Sequence, residues 1–184
     1  MIHLVGSVSW NENQWKAAPS NSELKKSGYA NLKAGYIGNE CLNLAMDPST
    51  IKEGWKYAAI EKFHSKKKFS NGGLVFLWCS RPGHKAMIYG VLGKVQRLDT
   101  MIPWETSVGP LEFNLRLPAL EGLMLLFNTP LSVKPEYMRI GDGVAKKRPG
   151  QSCGCYIDDR SARNILMDAD ENAKALIALY GWSL

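Results

Sequence analysis

The chain has 184 residues, 45% of them apolar and 22% charged, with a formal net charge of +6 and a pI near 9.1. This is the composition of one folded domain over residues 1–184, able to bury about 70% of the surface its unfolded form exposes without disulfides or metal. It has no apolar run of roughly 18 residues or more, which excludes a membrane-spanning helix. The opening Met1-Ile2-His3-Leu4-Val5-Gly6 has neither the basic start nor the long apolar stretch of a signal peptide, so the expected location is the cytoplasm.

In chain order, residues 2–9 read as a short strand and Trp10 to Ala18 as a polar, Trp-bearing loop. Ser20 and Ser22 offer caps for a short helix through Lys26, and Gly28, Gly35, Gly38 and Asp47-Pro48 break the chain into turns. The clearest strand is residues 73–80, a near-continuous apolar run of the kind found where both faces of a sheet are covered. Arg81-Pro82-Gly83-His84 supplies a turn into a second strand at residues 86–95, giving a hairpin over residues 73–95. Residues 111–117 alternate apolar and polar as a strand with one wet face, and residues 123–127 are an apolar segment of either type. Asp158 or Asp159 caps a helix whose apolar positions run from Ala162 to Tyr180 at a 3.6 period, with Gly181 placed to end it. Strands in the middle and a helix at the end predict an α+β fold with that helix packed over the sheet.

Catalytic and metal-binding patterns are sparse. His3, His64 and His84 lie far apart and lack the spacing that sets two ligands on one helix face. Cys153-Gly154-Cys155 could hold a soft metal only with two further thiolates, and Cys41 and Cys79 belong to no paired motif, so core or loop cysteines are expected. No nucleophile elbow, phosphate loop or dinucleotide fingerprint is present. Gly141-Asp142-Gly143 reads as a turn, and the acids are scattered apart from Asp158-Asp159 at the helix start. These residues predict no enzyme, cofactor or metal.

The basic residues are clustered. Lys52, Lys56, Lys62, Lys66, Lys67 and Lys68 face only Glu53 and Glu61 in sequence, and Lys146-Lys147-Arg148 forms a second group. Lysines and arginines on phosphates give sequence-independent, salt-dependent affinity for nucleic acid. A solvated surface would look the same, but Trp55, Tyr57, Phe63 and Phe69 are interleaved with the lysines. Trp10, Trp15 and Trp104 lie in polar or Pro/Gly-bounded segments, where a ring either folds onto the domain or receives something flat. A stacked base is worth roughly 1–3 kcal/mol.

A family pattern joins these features. In the stretch of residues 29–42, Tyr29 is followed nine and ten residues on by Gly38-Asn39, with Leu42 three beyond. This spacing resembles YTH domains, readers of N6-methyladenine. Gly73-Leu-Val-Phe-Leu-Trp78-Cys-Ser80 and Tyr89-Gly90-Val91-Leu-Gly-Lys-Val95 resemble the next hairpin of YTH domains and, equally, of EVE domains in the PUA-like superfamily. The similarity spans roughly residues 2–140, and length and basic character are most similar to the N-terminal DNA-binding domains of McrB-type modification-dependent restriction proteins. There a GTP-driven AAA+ motor normally follows; this chain carries no motor motif, so it would be the recognition part.

The resemblance implies a curved, barrel-like EVE/YTH-type sheet flanked by helices, and a DNA partner whose modified base is flipped into an aromatic pocket. The cost is a few kcal/mol of unstacking, recovered by a snug pocket. The implied pocket is Trp10, Leu32, Lys33, Trp78, Ser80 and Trp104, with Lys62, Lys66, Lys67, Lys68 and Arg81 on phosphates. Leu32 stands where YTH domains carry a cage Trp, a wall that Tyr36, Trp10 or Trp15 would have to supply. Lys33 matches the residue whose backbone carbonyl accepts from the methylated amine, and Trp104 follows the order of the second cage Trp. Trp78, ending an apolar strand, also fits a core position. N6-methyladenine is the first expected ligand and 5-substituted cytosine the second. An RNA reader taking an unpaired base is the alternative, told apart by contact with the 2′-OH; a small nuclease or nucleotide-processing enzyme, which would depend on a divalent metal, is a third.

Overall fold

The computed structural model describes residues 1–7, 55–59, 69–79, 84–106, 109–118, 123–142 and 155–183. Among the described residues seven strands and two α-helices make a mixed α+β fold, in agreement with the class expected from sequence. The strands are β1 (Ile2–Ser7), β2 (Trp55–Ala59), β3 (Gly73–Cys79), β4 (Met87–Thr106), β5 (Gly109–Pro118), β6 (Leu123–Ser132) and β7 (Cys155–Asp158). Five of them pair in the order β7-β1-β3-β4-β6, and the far half of β4 pairs with β5, which pairs with β2. These pairings leave the sheet open, so the barrel-like closure expected from the resemblance is not found among the described strands.

The expected hairpin forms. β3 and β4 pair antiparallel from Gly73 opposite Val95 to Cys79 opposite Met87. β1 lies parallel to β3, with Leu4 opposite Val75 and Ser7 opposite Trp78. Leu74 and Phe76 join Val5, Ile88 and Val91 in the core under the helices, while Leu4, Val75, Leu77, Cys79 and Leu92 are also buried. The continuous apolar run of β3 therefore reflects burial on both faces. Gly90 is required by this packing: a Cβ there would sit far inside contact distance of the Leu125 carbonyl oxygen on β6.

β4 is twice the expected length, 20 residues, and serves as the spine of the sheet. Register shifts interrupt its pairing with β3, β5 and β6. Lys94 has φ 55 where the β3–β4 register shifts, a left-handed residue at a bulge. β4 carries extra residues between Arg97 and Ile102, and β6 between Leu126 and Leu131, a stretch containing Pro130. Proline has no N–H for the ladder, which suits it to such a bulge.

The carboxyl-terminal helix is two helices, α1 (Asp159–Asp168) and α2 (Glu171–Leu179). The 3.6 period continues across Ala169-Asp170, which is why sequence alone joins them. Asp170 breaks the run because its carboxylate accepts from the Ala173 N–H and starts a new helix. Asp158 caps α1 by accepting from Ser161 N–H, as expected, and Gly181, at φ 70, follows the end of α2. Ala162, Ile165 and Leu166 of α1 and Ala173, Leu176 and Ile177 of α2 are buried against the sheet together with Tyr137 and Met138.

Two strands were not foreseen. β2 lies within the lysine-rich stretch, and β7 is a four-residue edge that pairs antiparallel with β1. The predicted loop at Trp10 to Ala18, the short helix through Lys26, residues 29–42 and Lys146 to Arg148 lie outside the described residues.

Candidate nucleic-acid interface

β1 and β3 run parallel and finish side by side, with Ser7 opposite Trp78. Trp78 is half-buried and packs against the helix-covered core, in keeping with the core position its strand suggests. On the other side of β3, Cys79 faces Met87 at the start of β4, which in turn faces Ser132 at the end of β6. His84 and Lys85 lead into β4 at this same end of the sheet, and both are exposed. Of the sequence-selected pocket, Trp10 follows shortly after Ser7, and Ser80 directly after Cys79; both lie outside the described residues. So do Leu32, Lys33, Lys62, Lys66, Lys67, Lys68 and Arg81.

Trp104 is placed differently from expectation. It lies within strand β4, opposite Leu111 of β5, and not in a loop. Pro103 ahead of it suggested a break, but β4 keeps its pairing, with Pro103 opposite Glu112. Along β4 it stands well beyond Ile88, the partner of Trp78, by a strand contour of about 50 Å. The register therefore does not make the two tryptophans neighbours.

The opposite end of β1 holds a second, fully described constellation. His3 is fully buried, and its Nδ1 accepts from the Leu74 N–H at 2.9 Å. That bond requires Nδ1 to be unprotonated, so Nε2 carries the hydrogen and donates to Asp159 Oδ1 at 2.8 Å. Burial holds the imidazole pKa below its ordinary value, outweighing the opposite pull of Asp159. Asp159 also receives the Met1 ammonium at 2.6 Å. Partial burial pushes that carboxyl up, but the bonds from the ammonium and from His3 prevail and leave it below the usual carboxylate range.

Tyr180 and Trp182 pack edge-on to the His3 ring, at centroid distances of 6.1 and 5.5 Å. The Tyr180 hydroxyl donates to the Gly72 carbonyl and accepts from the Lys94 N–H that the bulge frees from the ladder. Burial raises the pKa of that phenol, keeping it neutral as a donor. A third polar group joins Asp168, which accepts from Lys134 and from the hydroxyl of the buried Tyr137. Those two bonds lower the Asp168 pKa, and burial above all raises that of Tyr137.

Sequence reading considered His3 only as a metal ligand and missed this cluster. Its members come from both chain ends, and no local spacing announces them. Among the described residues no group of three or more His, Cys, Asp or Glu side chains could hold a metal, and no helix is long and apolar enough to cross a membrane. Cys79 and Cys155 are buried, as expected of core cysteines. Compared with family models, curated proteins and solved structures, the chain matches none.

Proposed function

We propose that this chain is a PUA-like domain of EVE/YTH type that binds DNA and reads a modified base, N6-methyladenine first, flipped into an aromatic pocket. It acts as a recognition module without catalysis, metal or cofactor, and would serve an McrB-type restriction system in the cytoplasm as the recognition part that works with a GTP-driven AAA+ motor, whether that motor is in the same larger chain or not. The supporting observation is the shared end of β1 and β3. The half-buried Trp78 stands there opposite Ser7, and the segments bearing Trp10 and Ser80-Arg81 issue from these two strand ends. The exposed Lys85 adds positive charge beside them. In this reading Lys62, Lys66, Lys67, Lys68 and Arg81 grip phosphates, Trp10 and Trp78 flank the base, and Leu32, Lys33 and Ser80 complete the pocket; Trp104, which the register of β4 does not bring beside Trp78, is the pocket residue the titration tests on its own.

The test is titration of methylated and unmodified DNA duplexes, and of a matching single-stranded RNA, at two salt concentrations. Methylated DNA should bind most tightly, and replacing Lys66, Lys67 and Lys68 with Gln should lower the slope of log affinity against log salt by up to about 3. Equal binding of methylated and plain duplex defeats base reading; preference for the RNA defeats the choice of DNA. Wild-type affinity in Trp104→Ala removes Trp104 from the pocket.

A further inference from the structure

We propose that His3 is an acid-sensitive latch that holds the carboxyl-terminal segment Tyr180–Trp182 on the sheet. The latch is built from two fixed hydrogen bonds and two ring contacts. Nδ1 accepts from Leu74 N–H at 2.9 Å, Nε2–H donates to Asp159 Oδ1 at 2.8 Å, and the ring edges meet Tyr180 and Trp182. Tyr180 in turn binds Gly72 O and Lys94 N–H, so the same segment clamps the base of the β3–β4 hairpin. The Arg163 guanidinium donates to the Ser183 carbonyl at 2.7 Å and ties the segment to α1.

Protonation gives the ring its second N–H, on Nδ1, pointing at the Leu74 N–H. Two donors cannot share that 2.9 Å gap, and the cation would be buried. The charges facing the ring are Asp159 and Asp158 at the start of α1, which favour the cation, and the Met1 ammonium on β1, which opposes it. Asp159 is shared with that ammonium and is 46% exposed, so its attraction is divided and screened. The balance keeps the imidazole pKa below its ordinary 6.5 while the latch is closed. Opening the latch restores the ordinary value, so the open form takes up a proton as the pH falls below about 6.5. The closed latch is therefore fully favoured above that pH and is progressively lost below it. One proton per opening makes the opening constant rise by up to about tenfold per pH unit.

Hydrogen exchange on the full chain reads this out. After correction for intrinsic exchange, the amides of Leu74 and of residues 180–182 should lose protection by up to about tenfold per pH unit from pH 6.5 towards 4.5. His3→Asn, which keeps an acceptor near Leu74 but does not titrate, should show a flat profile. Parallel slopes in both proteins, or a flat wild type, would overturn the latch. The wild type alone supplies a second measurement: ring nitrogen NMR of His3 at pH 7 should show hydrogen on Nε2 only. Hydrogen on Nδ1 at that pH contradicts the proposal even if the variant fails to fold.

Discussion

The Asn128 backbone N–H donates to Oδ2 of Asp170 at 2.8 Å, joining the bulge of β6 to the residue that caps α2 at its junction with α1. The other carboxylate oxygen, Oδ1, accepts from Ala173 N–H and caps α2. One side chain thus both breaks the helix and seats its second half on the sheet. Asp170→Ala removes both bonds and should cost about 1–2 kcal/mol in denaturant unfolding. Asp170→Asn, which retains one acceptor oxygen, should lose less. An alanine variant as stable as the wild type would show that the bulge and the cap contribute nothing.

The close approach of β4 and β6 makes a second expectation. At Gly90 a methyl group would meet the backbone of Leu125 and Leu126, atoms that cannot swing aside. Gly90→Ala should destabilise by about 3 kcal/mol, the upper range for overpacking, and lower Tm by roughly 5–10 °C. Gly141→Ala tests a different physics, since its space is open but φ is 57. Left-handed strain alone should cost it about 1 kcal/mol. Thermal melts of the two variants side by side check the order.

Tyr137 and Asp168 provide a pH-dependent case. The Asp168 carboxyl is held below its ordinary 3.8 by Lys134 and Tyr137. Its contribution to stability is therefore complete above that pH and is lost as the pH falls through the lower folded value. Tyr137→Phe removes the hydroxyl that donates to it. The variant should be less stable by about 1 kcal/mol at pH 7, since the carboxylate is partly exposed and can rehydrate. The gap should narrow in unfolding curves taken below pH 3.8. A gap constant from pH 7 to pH 3 would mean that the phenol stabilises only by packing.

Much of the scaffold was legible because its cues are local. The apolar run of residues 73–80, the turn after it and the Tyr89–Val95 segment predict the hairpin with its ends nearly correct, and Asp158 and Gly181 mark the two limits of the helical region. The strand at residues 111–117 and the apolar segment beginning at Leu123 also lie within observed strands. β7 escaped because the four residues Cys155–Asp158 carry too little periodicity to stand out, and β2 was hidden among lysines. Of the pocket residues inferred from sequence, Trp78 is placed in full and Trp104 by its strand register; Trp78 proves to be a packed side chain, and Trp104 a strand residue.

The boundary between what sequence and tertiary structure decide is drawn by the range of the interaction. Composition, apolar periodicity and capping residues determined the α+β class, the central hairpin, and the excess of positive charge with interleaved aromatic rings. These depend on neighbours a few residues apart. Only the folded chain brought His3 to Asp159, Leu74, Tyr180 and Trp182, and Asp170 to Asn128. Those partners lie far apart in sequence, and a histidine's protonation state follows from which N–H and which carboxylate the fold sets against its ring. The opening charge of +6 is a property of composition; the buried, neutral imidazole is a property of the fold.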